Sequence, residues 1–239
     1  MRDIITVPLT SEESLLIASD NSGAIGMKAA DLVQVSYETV AYYSFRVAAM
    51  ECIAAGGLPF SVVVHNFCGD KAWGNIVKGI KIGLAELYLE DVSITGSTES
   101  NFSLQQSALG LVVLGKKAIT INSEKPFSNE LMFAVIGSPL VGNEVINQTD
   151  QVVPLSMFGE VAKLDDIMVW PVGSKGILHE FNQMFTDKKF TEDMLDTNLD
   201  VLKSSGPATC FIIAFEKYQE DALKKMVAAY YHSIKIARR

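Results

Sequence analysis

Two runs of helical period interrupt a series of apolar segments too short to be helices, and this alternation constrains the fold more than any single residue does. The short runs are IITVPL (4–9), SLLIASD (14–20), PFSVVVHNF (59–67), VSITG (92–96) and SALGLVVLG (107–115). Short runs rich in β-branched residues and bounded by turn residues read as strands. Between them, TVAYYSFRVAAMECIAAGG (39–57) reads as a helix that Gly56, Gly57 and the following Pro59 bring to a stop. In a second helix Trp73, Ile76, Val77, Ile80, Leu84, Leu87 and Tyr88 recur at helical spacing. The resulting order is strand, strand, helix, strand, helix, strand, strand. It predicts an α+β fold with helices on one face of a mixed sheet.

The composition changes across KKAITINSEKPFSNE (116–130), which places a boundary between a domain over 1–122 and another over 123–239. In the second half LMFAVIG, DIMVWPV and ATCFIIAF read as strands, with HSIKIAR as a last one. PLSMFGEVAKL, ILHEFNQMF and YQEDALKKMVAAYY read as helices.

The 239 residues carry a net charge of −8 and no long basic run, which argues against nucleic acid or an anionic membrane as the main partner. The three cysteines form no C-x-x-C pair, as expected of reduced thiols, and no zinc spacing is visible. The amino-terminal stretch does not read as a signal peptide and no apolar run is long enough to span a bilayer, so a cytoplasmic protein is expected.

Thr95 to Asn101 is a run of small, hydroxyl-bearing and acidic residues with no apolar member, set between two apparent strands. It reads as a loop carrying chemistry. Glu51 is the acidic residue in the otherwise apolar VAAMECIAA, where a lone carboxylate is costly unless paired or bound to a cation. Arg46 lies about 140° around the helix from it, too far for direct pairing. Glu51 then either reaches water or a lysine at the helix end, or serves as a metal ligand or acid. Asp20 ends the SLLIASD strand, as turn chemistry or as a ligand. With Glu99, these carboxylates could gather Mg²⁺, a hard ion commonly shared with phosphates.

No P-loop and no G-x-G-x-x-G fingerprint is present. Gly173-Ser174-Lys175-Gly176 before a helix could present N–H groups and an ammonium to phosphate, or form an ordinary loop. His65 shares a strand face with Val63 and Phe67, as a core residue or a ligand contact. Tyr42 and Arg46, four apart, share a helix face for packing or for phosphate.

SDNSGAIG (19–26), MECIAAGGLP (50–59), ITGSTES (94–100) and SALGLVVLG together resemble the aminoimidazole ribonucleotide synthetase-like, or PurM-like, ATP-binding superfamily. That superfamily includes thiamine-monophosphate kinase, selenophosphate synthetase and a hydrogenase maturation protein. FAVIGSPLVGNEV and VGSKGILHEF are similar to the opening of its second domain and to a glycine-containing helix start there. Glu51 falls where the family has a metal-binding aspartate, and Thr95–Thr98 falls on a family G-G-D-T. Ser97 stands where many relatives have an acid, a duty Glu99 would take over, and Asn21 stands where the kinases often have a second aspartate. The second domain is shorter than usual.

The resemblance implies a PurM-like two-domain α+β fold, with a dimer-forming mixed sheet first and a shortened α/β domain second. It implies a homodimer, ATP as co-substrate and Mg²⁺, with phosphoryl transfer to an alcohol. Asp20, Glu51 and Glu99 would be metal ligands, Glu51 and Glu99 also catalytic. Asp20, Lys28, Gly96, Ser97, Thr98 and Lys175 would hold the nucleotide, and His65, Asn66 and Arg46 the nucleoside substrate. Within the superfamily, the wording of SYETVAYYSFRVAAMEC, VVHNFCGD and SITGSTESNFS is most similar to α-ribazole kinases, which act on the lower-ligand nucleoside of cobalamin.

Overall fold

A computed structural model describes residues 4–121 and 125–237. They divide into two compact units, within Asp3–Ile121 and Asn122–Arg239. The boundary expected between 122 and 123 lies outside the described residues.

In the first unit the chain forms β1 (Ile4–Pro8), β2 (Glu13–Gly23), two short strands β3 (Ile25–Gly26) and β4 (Val33–Gln34), α1 (Tyr37–Ala54), β5 (Leu58–Asn66), α2 (Trp73–Glu86), β6 (Ser93–Thr98) and β7 (Ala108–Ala118). Five strands make one sheet in the order β1-β2-β7-β5-β6. Its pairs are antiparallel except β5 with β6. A parallel pair cannot be closed by a hairpin, and α2 supplies the crossover.

Alternation sorts each strand's side chains onto two faces. Leu16 and Ala18 of β2, Val62 and Val64 of β5, and Leu109, Leu111 and Val113 of β7 are buried with Phe45, Ala48, Ala49 and Cys52 of α1. α1 starts at Ser36, whose hydroxyl accepts the Thr39 N–H at 3.1 Å, and ends before Gly56 at φ +85°. It lies between the sheet and α2, which explains why it is apolar nearly all round. The approach of α2 is close: a Cβ on Gly79 would stand 2.1 Å from the Glu38 carbonyl oxygen.

Two strands are longer than their side chains advertise. β2 continues past Asp20, with Asn21, Ser22 and Gly23 opposite Gly110, Leu109 and Ala108. Asp20 is therefore within a strand, not at its end. β6 takes in Thr95 to Thr98, pairing Ser97 with His65 and Thr98 with Asn66. Much of the expected polar loop is thus an edge strand, and the true loop begins at Glu99. An edge strand with one face in solvent needs few apolar side chains.

The second unit contains β8 (Leu131–Ile136), α3 (Asn143–Asn147), α4 (Leu155–Val161), β9 (Met168–Pro171), α5 (Gly176–Met184), β10 (Leu195–Asp196), β11 (Phe211–Glu216), α6 (Glu220–Val227) and β12 (Tyr231–Ile236). Its sheet runs β10-β12-β8-β11-β9. The mixture of helix and strand matches the expectation for this half, but every pair is antiparallel, unlike an α/β sheet in the strict sense. Ile177, Phe181 and Met184 of α5 pack on the sheet in a core that also holds Phe133, Phe185 and Phe190. The Phe133 and Phe181 rings meet edge-on at 5.2 Å. Among the described residues no helix is long and apolar enough to cross a membrane.

Candidate functional site

The parallel strands β5 and β6 end side by side, and three segments gather there: 27–31, 67–70 and 99–107. The sequence builds this end with polar side chains that bond to backbone. Asn66, 1% exposed, donates from Nδ2 to the Gly69 carbonyl and to Thr98 Oγ1, both at 3.0 Å. Its Oδ1 accepts the Cys68 N–H at 2.8 Å. Asn66 thus locks the turn after β5 to β6. The Cys68 thiol donates to the Ala108 carbonyl at 3.3 Å, and burial pushes its pKa up.

Asp31 fixes the opposite wall. Its Oδ1 accepts the Ser107 N–H at 2.7 Å. Its Oδ2 accepts the Ser107 hydroxyl at 2.7 Å and the Lys28 N–H at 2.8 Å. Burial opposes the charge, but these donors prevail and hold the carboxyl below its ordinary value. Lys28 Nζ donates to the Phe67 and Gln106 carbonyls at 3.1 and 3.2 Å. Glu99 donates its N–H to the Asn66 carbonyl at 2.8 Å. Its Oε1 accepts the N–H groups of Asn101 at 2.7 Å and Phe102 at 3.1 Å. A hollow of about 400 Å³ opens between these segments, lined by Lys28, Phe67, Cys68, Asp70, Glu99 and Phe102 among others.

Of the residues singled out in the sequence, Lys28, Glu99, Thr98 and Asn66 come together here. The last two act through the hydrogen bonds just described. Gly96 precedes them in β6, where a Cβ would stand 2.2 Å from the Val64 carbonyl oxygen, so the glycine is demanded by strand packing. Ser97 and His65 are paired neighbours on the exposed face of the sheet, away from the helices.

Asp20 faces the helix layer. It accepts hydrogen bonds from the Ser44 hydroxyl of α1 and from the Asn21 N–H, yet burial dominates and pushes its pKa up to about 6. Its row across the sheet is Asp20, Leu111, Val64, Gly96. Three strand spacings of roughly 4.8 Å put β6 about 14 Å away.

Glu51 lies elsewhere again. The Cys52 sulfur sits over Gly115 and Gly57, beside Leu16, whereas Ser44 sits over Asp20. α1 therefore runs antiparallel to β2. Glu51 is about 10 Å farther along the axis than Ser44, at roughly 1.5 Å per residue, and away from the hollow. Within one chain the three carboxylates are thus not gathered. Among the described residues no three His, Cys, Asp or Glu side chains form a group that could hold a metal ion. The expected Mg²⁺ cage does not fit this single chain.

Arg46 is also displaced from its expected role. It is 0% exposed, in contact with Tyr42, whose hydroxyl donates to Glu86 Oε2 of α2 at 3.2 Å. It is buried in the packing of α1 beside Tyr42 and does not line the hollow. Lys175 belongs to the second unit. It is exposed before α5 and lines, with His179, Lys188 and Lys189, an open hollow of about 800 Å³.

Asp31 and Ser107, which carry much of this architecture, have no motif in sequence. The available signal is local: Asp31 closes a turn onto the N–H of Lys28, three residues earlier.

No family model matches the chain, and no curated protein matches it. Solved structures do. PurL from Thermotoga maritima, complexed with ADP, is 10% identical with a TM-score of 0.63; the match covers 99% of this chain and 42% of that one. Thiamine monophosphate kinase from Aquifex aeolicus is 10% identical with a TM-score of 0.62, over 99% of this chain and 89% of that one. A HypE–HypF complex gives 13% identity, a TM-score of 0.59, and 97% and 87% coverage. The chain spans under half the length of the PurL chains it matches. These likenesses establish a PurM-like fold, shared with proteins solved with ADP and with ATP.

Proposed function

We propose that the protein is an ATP-dependent phosphotransferase with an alcohol acceptor, and that the acceptor is the 5′-hydroxyl of α-ribazole. One observation carries the reading: the fold extends over 99% of this chain and 89% of a thiamine monophosphate kinase, so a chain of this size carries nearly the whole scaffold of a small-molecule kinase. The choice of nucleoside rests on the resemblance of SYETVAYYSFRVAAMEC, VVHNFCGD and SITGSTESNFS to α-ribazole kinases.

In this reading Lys28 and Thr98 belong to the acceptor side at the ends of β5 and β6, and Ser97 offers its hydroxyl to phosphate from the helix-free face of the sheet. Magnesium enters with ATP, held mainly by phosphate oxygens, as is usual for this ion. Phosphoryl transfer depends on positioning more than on covalent assistance, which suits a site made of fixed backbone and hydroxyl groups. The same reading makes the protein a homodimer. The helix-free face of the first sheet presents Leu15, Ile17, Val63, Val112 and Leu114, none fully buried, with Ile5 62% and Phe60 37% exposed. A contiguous apolar face of this kind marks an interaction surface.

The test is purified protein with Mg-ATP and α-ribazole, read as ADP and α-ribazole 5′-phosphate by chromatography. Folded protein that yields neither above background refutes the reading. The dispersal of Asp20, Glu51 and Glu99 favours one alternative, a nucleotide-binding scaffold without turnover. There ATP raises the melting temperature and is not consumed.

A further inference from the structure

The hollow beside Glu99 has a composition that a triphosphate would not select. Its charged lining is Lys28 against Asp70 and Glu99, one positive group and two negative. The Lys28 ammonium already donates to two backbone carbonyls, so one of its three N–H donors is left over. Several phosphate charges placed here would meet net repulsion. A volume of about 400 Å³ matches the lower range of small-ligand pockets.

The rest of the lining is mixed: Ser100, Ser103 and Gln105 stand beside Phe67, Phe102 and Leu104. Phe102 is 78% exposed, Leu104 43% and Phe67 41%, all at this one hollow. Scattered exposed apolar residues need no explanation, but three on one concave surface mark a place that something covers. Phe102 is also held in position. The Glu99 carboxylate accepts the Phe102 N–H, so the loop carrying the ring and the carboxylate are fixed as one piece, with both described bonds falling on Oε1.

We infer that this hollow seats the acceptor as a neutral nucleoside with an apolar aromatic base. The base lies against Phe102 and Phe67, and ribose hydroxyls donate to Glu99. This deepens the phosphotransferase reading and rests on it for the word acceptor. It also gives Glu99 a part in binding sugar in place of metal. A carboxylate suits vicinal hydroxyls, which are donors, and an exposed ring suits a base with few polar edges to satisfy.

The experiment measures binding directly, without turnover. Wild type, Phe102→Ala and Glu99→Gln, each first checked for an unchanged melting temperature, are titrated calorimetrically with α-ribazole, uridine and a non-hydrolysable ATP analogue. α-Ribazole is titrated with and without that analogue present. Aromatic–base stacking contributes about 1–3 kcal/mol per base, so Phe102→Ala should weaken α-ribazole by about tenfold or more. The analogue should bind Phe102→Ala as it binds wild type, and uridine should bind wild type more weakly than α-ribazole does. Glu99→Gln should weaken both nucleosides and leave the analogue unaffected. The inference is overturned if α-ribazole fails to bind wild type, if Phe102→Ala binds it unchanged, or if that variant loses only the analogue. Phe102-dependent α-ribazole binding with no ADP formed would keep the subsite and remove the kinase reading. ADP formation with an unaltered α-ribazole KM in Phe102→Ala would do the reverse.

Discussion

Ser107 meets Asp31 twice, through its N–H on Oδ1 and its hydroxyl on Oδ2, each at 2.7 Å. The two residues are 76 apart in sequence, and the pair bolts the 27–34 segment to the start of β7.

Removing that bolt should cost stability. Hydrogen bonds to a charged group are worth about 1.5–3 kcal/mol each, and Asp31→Ala leaves the buried Ser107 donors unsatisfied. A loss of about 3 kcal/mol in urea unfolding at pH 7 is expected. The carboxyl titrates below its ordinary 3.8 in the folded chain. Its contribution is therefore complete above that value and fades as pH falls through the folded pKa. Wild type should converge on Asp31→Asn in strong acid; a difference that does not shrink would contradict this.

Asp20 has the opposite sign. Burial raises its pKa from 3.8 to about 6. The folded chain therefore binds the proton more tightly than the unfolded chain, and stability falls as pH rises from about 4 through about 6. Asp20→Asn should melt with wild type near pH 3.5 and above it at pH 7.5, by on the order of 2 kcal/mol. Calorimetric melting across this range measures the difference.

Cys52 and Gly115 occupy each other's space. A Cβ on Gly115 would stand 2.3 Å from the Cys52 sulfur. Gly115→Ala should cost about 1–3 kcal/mol by overpacking. Adding Cys52→Ala should restore part of the loss, a coupling that a double-mutant cycle in denaturant measures directly. Burial pushes the Cys52 thiol up to about 12, so a thiol reagent should leave it unmodified in native protein at pH 8 while reacting with half-buried Cys68.

Arg46→Ala should unfold more readily by about 3–5 kcal/mol, since a buried charge network loses one member. Burial raises Tyr42 to about 12 despite the guanidinium beside it. KM for nucleoside per folded molecule should stay at the wild-type value. A selective rise in KM with an unchanged melting point would restore Arg46 to a substrate role.

The strand and helix order was legible because each core element carries its own period. LLIA alternates against the helix layer, VVV is β-branched, and Trp73 to Tyr88 repeats at helical spacing. Asn21 to Gly23 and Ser97 to Thr98 were not legible as strand. Their extended state is imposed by hydrogen bonding to β7 and β5, a property of the neighbours. The hollow was legible only in part. Glu99 stood out by residue type and Lys28 through the family resemblance, whereas Asp31, Ser107 and Phe102 acquire meaning through partners that tertiary structure supplies. The placement of Glu51 beside Asp20 failed for a directional reason: nothing in the helix sequence states which way α1 runs over β2.

That direction has an energetic corollary. Because α1 spaces Ser44, the neighbour of Asp20, from Glu51 by roughly two helical turns, perturbations at the two acids act about 10 Å apart along the helix. Sites separated by more than about 7–10 Å contribute independently. The stability of an Asp20→Asn, Glu51→Gln double variant should equal the sum of its halves, and the helix acts as an insulator between them.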